Sequence, residues 1–166
     1  MAAVYIETSI IGYMTARSSD AVIFQARQQL TQQWWAGQRH KYELVTSQLV
    51  IDEAAAGDPT AAQERLVLLD DVPLLDIQHP DVQTLADKLI ANHLLPENAA
   101  ADARHVAVAT VFGVEYLLTW NCRHIANAHE LPRIYDLLDK EGLGKLLICT
   151  PAEFLGDSDN EQQSDT

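Results

Sequence analysis

Short apolar runs alternate along the chain with longer stretches in which apolar residues recur every three or four positions, the pattern of strands each followed by helix. Residues 4–6 read as a first strand, 43–46 as a second, 73–77 as a third, 116–119 as a fourth and 146–149 as a fifth. Within 20–36, Val22, Ile23, Ala26, Leu30 and Trp34 fall at helical spacing, with Gly37 as a stop. Ser47 is placed to cap a helix that runs to Gly57, and Asp58-Pro59 gives the next helix a cap and a first-position proline. Further helices are expected over 80–92, over 101–112 with Gly113 closing it, and over 131–141. Residues 94–98 read as loop, and Thr150-Pro151-Ala152-Glu153 has the form of a capping box. The alternation predicts a three-layer α/β/α domain around a mostly parallel sheet of about five strands.

Composition narrows the setting. Of 166 residues 48% are hydrophobic, enough for one ordinary core over 1–155, whereas 156–166 is acidic, has no apolar residue to bury and is expected to be disordered. No apolar run approaches the roughly 18 residues that span a bilayer, and no basic segment leads into a long apolar one near Met1, so the expectation is a soluble, cytoplasmic protein without a membrane partner. Cys122 and Cys149 lack the spacing of a metal site and read as reduced thiols. With 24 acidic against 11 basic residues, the net charge of -13 excludes a broad basic footprint for nucleic acid. Any such contact is local, and a divalent cation held between acids would invert the field there.

The polar residues that interrupt the apolar pattern carry the candidate chemistry. Glu7 follows the first strand directly, and an acid at the carboxyl end of such a strand points into the crevice where open α/β sheets bind ligands. Glu53 lies three and four residues after Val50 and Leu49, on the apolar side of its helix, although acids on helices ordinarily face water. Asp102 opens a helix whose same face continues through His105, Val106 and Ala109; capping or interaction with the helix dipole would also explain it. Asn121 follows the fourth strand, where a simple turn role is common. Together these oxygen ligands suit a hard cation. His105, His124 and His129 have no cysteine or histidine partner at zinc-site spacing and read as structural or surface residues. A Gly-x-Ser-x-Gly elbow, a phosphate loop and a dinucleotide glycine fingerprint are all missing from the sequence. Trp34 and Trp35, with Leu30, offer three readings: a stacking platform for bases, an exposed patch for association, or the completion of the core.

Tyr5-Ile6-Glu7-Thr8-Ser9-Ile10-Ile11 resembles the opening of PIN-domain ribonucleases, and Ser47-Gln48-Leu49-Val50-Ile51-Asp52-Glu53 resembles the helix that bears their second acid. Ala101-Asp102-Ala103-Arg104-His105-Val106-Ala107-Val108-Ala109 is similar to their acidic helix start, and Leu117-Leu118-Thr119-Trp120-Asn121-Cys122-Arg123-His124 to the post-strand motif of VapC-type toxins. The four motifs stand in the family's order, and the resemblance spans about residues 3–155. The resemblance implies a PIN-like fold and a metal-dependent endoribonuclease, the toxin of a toxin–antitoxin pair. In it Glu7, Glu53, Asp102 and Asn121 surround Mg²⁺ or Mn²⁺, and Thr8, Ser9 and Thr119 hold the carboxylates in place. Arg123 and His124 would meet an RNA phosphate, with a surface role as the alternative. A cognate antitoxin and a homodimer are the implied protein partners.

Two positions depart from the family's usual pattern. Glu7 stands where Asp is normal, adding a methylene and a rotatable bond, and Asn121 supplies a neutral carbonyl where Asp is frequent, lowering the negative charge on the site. These departures define a second reading, a catalytically weak or inactive interaction module whose acidic pocket takes an arginine from a partner protein.

Overall fold

The computed structural model describes residues 1–92 and 94–155; the tail expected to be disordered, 156–166, lies outside them. Ala3-Val4-Tyr5-Ile6 joins β-branched and aromatic side chains with no turn residue, and it forms β1 (Ala3–Ile6). With β2 (Glu43–Ser47), β3 (Leu74–Leu75), β4 (Tyr116–Leu118) and β5 (Leu147–Cys149) it makes one sheet in the order β3-β2-β1-β4-β5. Every pairing is parallel, so the expected mostly parallel sheet is parallel throughout the described residues. Around it lie α1 (Thr8–Thr15), α2 (Val22–Gly37), α3 (Gln48–Ala54), α4 (Pro59–Val67), α5 (Pro80–Ala91), α6 (Ala100–Val111), α7 (Leu131–Lys140) and α8 (Pro151–Leu155).

Successive residues Val4, Tyr5 and Ile6 are all fully buried, as parallel strands are when helices cover both faces of a sheet. Register assigns the faces. Tyr5 pairs with Leu117 and reaches His105 of α6, whereas Val4 pairs with Tyr116, whose ring meets Phe154 of α8. On one side α6 packs on α5, and on the other α2 packs on α1 and α8, giving the three-layer α/β/α arrangement. Helix α6 is buried almost all round from His105 through Thr110, which accounts for its alanine- and valine-rich sequence there. It ends at Gly113 (φ 68), whose N–H reaches Thr110 O while that of Val114 reaches Ala109 O, the paired bonds of a left-handed glycine cap.

Four local expectations need correction. Residues 8–15 form α1, which the pattern did not announce: Gly12 and the β-branched and hydroxyl residues are weak helix formers, and its N-cap is Glu7 rather than one of the usual short polar residues. The third strand shrinks from 73–77 to Leu74–Leu75. Ser47 occupies the N-cap of α3 but makes no side-chain cap bond, because its hydroxyl is taken by Tyr5. On α2 the expected apolar stripe holds only at its C-terminal half. Val22 and Ile23 are 78% and 71% exposed, while Trp34 and Trp35 are buried and finish the core instead of forming a patch.

Candidate functional site

From β1 the chain moves outward through β2 to β3, then returns to place β4 on the other side of β1, so the strand order reverses between β1 and β4. Ligands of open α/β sheets bind beyond the carboxyl ends of the strands at such a point. Glu7 leaves β1 there and Thr119 leaves β4, and the two are joined: Glu7 N–H donates to Leu118 O at 3.2 Å, and Thr119 Oγ1 donates to Glu7 Oε2 at 2.8 Å. The same carboxylate oxygen accepts from Ser9 N–H at 3.0 Å and from Ser9 Oγ. Ser9 Oγ in turn accepts from Trp120 N–H at 2.8 Å, and Thr119 Oγ1 from Asn121 N–H at 2.9 Å. Glu7 is only 5% exposed, so these donors and the amino end of α1 are what offset the cost of burying its charge. Its other oxygen, Oε1, accepts from no described residue.

Glu53 stands on the next element across. Its Oε1 accepts from Thr8 Oγ1 at 3.2 Å and meets His105 Nε2 at 2.6 Å, while Oε2 has no partner among the described residues. His105 is fully buried, and its Nδ1 lies 2.8 Å from Tyr5 Oη, itself 2.8 Å from Ser47 Oγ. Burial raises the Glu53 carboxyl, but the hydrogen bonds from His105 and from the Thr8 hydroxyl outweigh it and hold it below the usual glutamate range. Burial also pushes the Tyr5 phenol far up, so it keeps its proton.

Asp102 lies in the first turn of α6 without capping it; the N-cap is Ala99, so of the two bland readings only favourable placement in the helix dipole survives. Its Oδ2 meets His124 Nδ1 at 3.0 Å. Asn121 Oδ1 accepts from His124 N–H at 3.0 Å and its backbone carbonyl from Ile125 and Ala126, the local bonding of a residue that caps a helical turn. His124 and Arg123 also line a cavity of about 480 Å³, walled on its apolar side by Ile90, Leu94, Leu95 and Pro96. Arg123 makes no ion pair among the described residues, and His124 thereby joins this cavity to the acid of α6.

The sequence-predicted residues are therefore bonded as Glu7 with Ser9 and Thr119, Thr8 with Glu53, and Asp102 with His124, while Asn121 bonds to both Thr119 and His124. Sequence reading missed the part played by Tyr5 and Ser47 and gave His105 only a structural or surface role. The available signal was Tyr5 itself, because a phenol in a strand buried on both faces needs a polar partner.

The donor chemistry fits a hard cation, since each of the three carboxylates has one oxygen oriented by protein donors and one without a described partner. The placement is looser: among the described residues no three His, Cys, Asp or Glu side chains stand as a ready set around one metal ion. His129 meets neither acid set, and its backbone N–H closes a turn on Asn127. Compared with models of protein families, with curated proteins and with solved structures, the chain matches none.

Proposed function

We propose that the chain is a metal-dependent endoribonuclease that hydrolyses RNA phosphodiester bonds, the toxin of a toxin–antitoxin pair working in the cytoplasm. The observation that carries this reading is Glu7, a buried carboxylate at the reversal of strand order, oriented through one oxygen by Ser9 and Thr119 and open at the other. Glu7, Glu53, Asp102 and Asn121 would hold Mg²⁺ or Mn²⁺, and the ion when bound would supply stabilisation of charge on the scissile phosphate. Thr8, Ser9 and Thr119 keep the carboxylates turned, which matters most for Glu7 with its additional rotatable bond. Arg123 and His124, on the rim of the neighbouring cavity, supply cationic and donor groups for a phosphate on a protein that otherwise repels RNA. Asp102→Asn abolishes Mg²⁺-dependent cleavage of RNA while leaving stability in the absence of metal equal or slightly higher, since it removes a like charge. Equal cleavage by the purified variant and wild type would sink the proposal.

The scattered donor set favours one second reading, a PIN-like interaction module in which an arginine of a cognate antitoxin fills the acidic crevice. Titration separates the two: a nuclease binds Mn²⁺ without a partner, whereas the module takes up a basic peptide with a rate that falls with salt and binds no metal. For the homodimer the tryptophan patch no longer argues, because Trp34 and Trp35 are buried.

A further inference from the structure

We propose that His105 is a positioning residue, which clamps Glu53 by one carboxylate oxygen and so presents the other to the crevice ligand. This rests on the reading of Glu53 as part of the site. Glu53 is carried by α3, a short helix, and its side chain is 41% exposed, so left alone its torsions would be free. Instead Oε1 is held at 2.6 Å by a ring that is completely enclosed.

The direction of each bond follows from what the partners can do. An ionised carboxylate only accepts, so His105 Nε2 bears a hydrogen. In the neutral ring Nδ1 is then bare and can only accept, so the Tyr5 hydroxyl donates to it and the Ser47 hydroxyl donates to Tyr5 Oη. The ring is thereby fixed as one tautomer by groups on β1 and β2, two paired strands at the middle of the sheet. A chain of three bonds runs from the middle of the sheet to the carboxylate. A histidine that served packing alone would need no such directional chain ending on a half-exposed acid. In the same way, ligand carboxylates and imidazoles elsewhere are oriented by outer hydrogen bonds whose loss weakens binding.

The test uses the full chain and the pair His105→Gln and His105→Asn. Glutamine carries an N–H donor out to the position of Nε2, whereas asparagine reaches only that of Nδ1 and leaves Glu53 Oε1 with the longer Thr8 bond alone. Metal-free crystal structures are expected to show Glu53 in one rotamer in wild type and H105Q, and in a different rotamer or several in H105N. Mn²⁺ binding by calorimetry is expected to weaken about tenfold or more in H105N, within the range found for lost outer-shell partners, and to stay within about threefold in H105Q. An unchanged, singly ordered Glu53 in H105N overturns the proposal whatever the Mn²⁺ result. Absence of Mn²⁺ binding by wild type overturns the nuclease reading instead and leaves the rotamer comparison to decide His105. Should H105N not fold, the imidazole ¹⁵N spectrum of wild type decides: a hydrogen on Nε2 with bare Nδ1 supports the clamp, and the opposite tautomer overturns it.

Discussion

Two clusters, one beneath α2 and α8 and one beyond the carboxyl end of β1, are built on opposite rules. Under α2 and α8 the rings of Trp34, Tyr42, Tyr116 and Phe154 pack at centroid separations from 5.0 Å for Tyr116 and Phe154 to 6.3 Å for Trp34 and Tyr42. There the Trp34 Nε1–H is buried without a hydrogen-bond partner among the described residues. At the carboxyl edge of the sheet, by contrast, Glu7, Ser9, Thr119, Trp120 and Asn121 are linked donor to acceptor. The aromatic cluster draws its stability from contact area, which is forgiving of one unmade bond. The polar cluster draws its order from pairing, because apart from the open Glu7 Oε1 its groups are satisfied by one another. One cluster holds the fold together; the other holds a geometry.

The sharpest way to break the comparison is to remove mass from one and a single atom's polarity from the other. Trp34→Ala is expected to cost about 3–5 kcal/mol, the range for deleting a large aromatic from a core, while the arrangement around Glu7 survives in the folded fraction. Urea unfolding gives the first quantity. RNA cleavage or Mn²⁺ binding per folded molecule gives the second, and a selective loss there would show that the two clusters are coupled.

Thr119→Val keeps the shape and takes away the hydroxyl. Glu7 Oε2 loses a donor and Asn121 N–H an acceptor, so the expected loss is about 1–3 kcal/mol, the cost of leaving buried polar groups unpaired. Unlike Trp34→Ala, it is expected to impair function more than stability. A variant with full activity and lowered stability would assign Glu7 to helix capping alone.

The sequence conveyed these two regions unequally, for physical reasons. Strand and helix order was readable because burial on both faces gives continuous apolar runs in β1 and β4, and period-3.6 patterns in α5 and α7. Glu7 and Asn121 were readable as polar residues just after apolar strands, and Glu53 and Asp102 as acids on apolar helix faces. What they bond to was not, since Tyr5, Ser47 and His105 are far apart in sequence and meet only through parallel pairing and the packing of α6. Helix α1 was hidden because an N-capping glutamate is outside the usual signature. Tryptophans in α2 were ambiguous because helical spacing alone does not say which half of a helix the core covers.

Glu53 adds a pH-dependent version of the contrast. Its carboxyl sits below the ordinary glutamate value, so the unfolded chain binds the proton more tightly than the folded one. The contribution is fully present above the unfolded pKa of about 4.3 and is lost as pH falls through the lower folded value. Urea midpoints for wild type and Glu53→Gln across this window are expected to converge toward acid, the wild type losing more. Parallel curves would mean that His105 does not favour the ionised form. The effect is modest, because the side chain is part-exposed and solvent screens it.

The smallest effect is expected at the amino end of α2, where the sequence pattern and the core part company. Val22 and Ile23 belong to the same helical stripe as Trp34, yet they are open to solvent, whereas Thr31, two turns on, is fully buried and bonded to Trp120 Nε1 at 2.7 Å. If the core alone decides, Val22→Ser and Ile23→Ser each change stability by less than about 0.5 kcal/mol, as surface substitutions do. A larger loss that depends on protein concentration would mean that this end of α2 is covered by a second copy, because only association makes stability depend on concentration. Light scattering of the wild type at tens of micromolar, on the order of where weak interfaces fill, distinguishes these outcomes. A monomer with insensitive variants leaves the stripe as helix-forming sequence that the core never used.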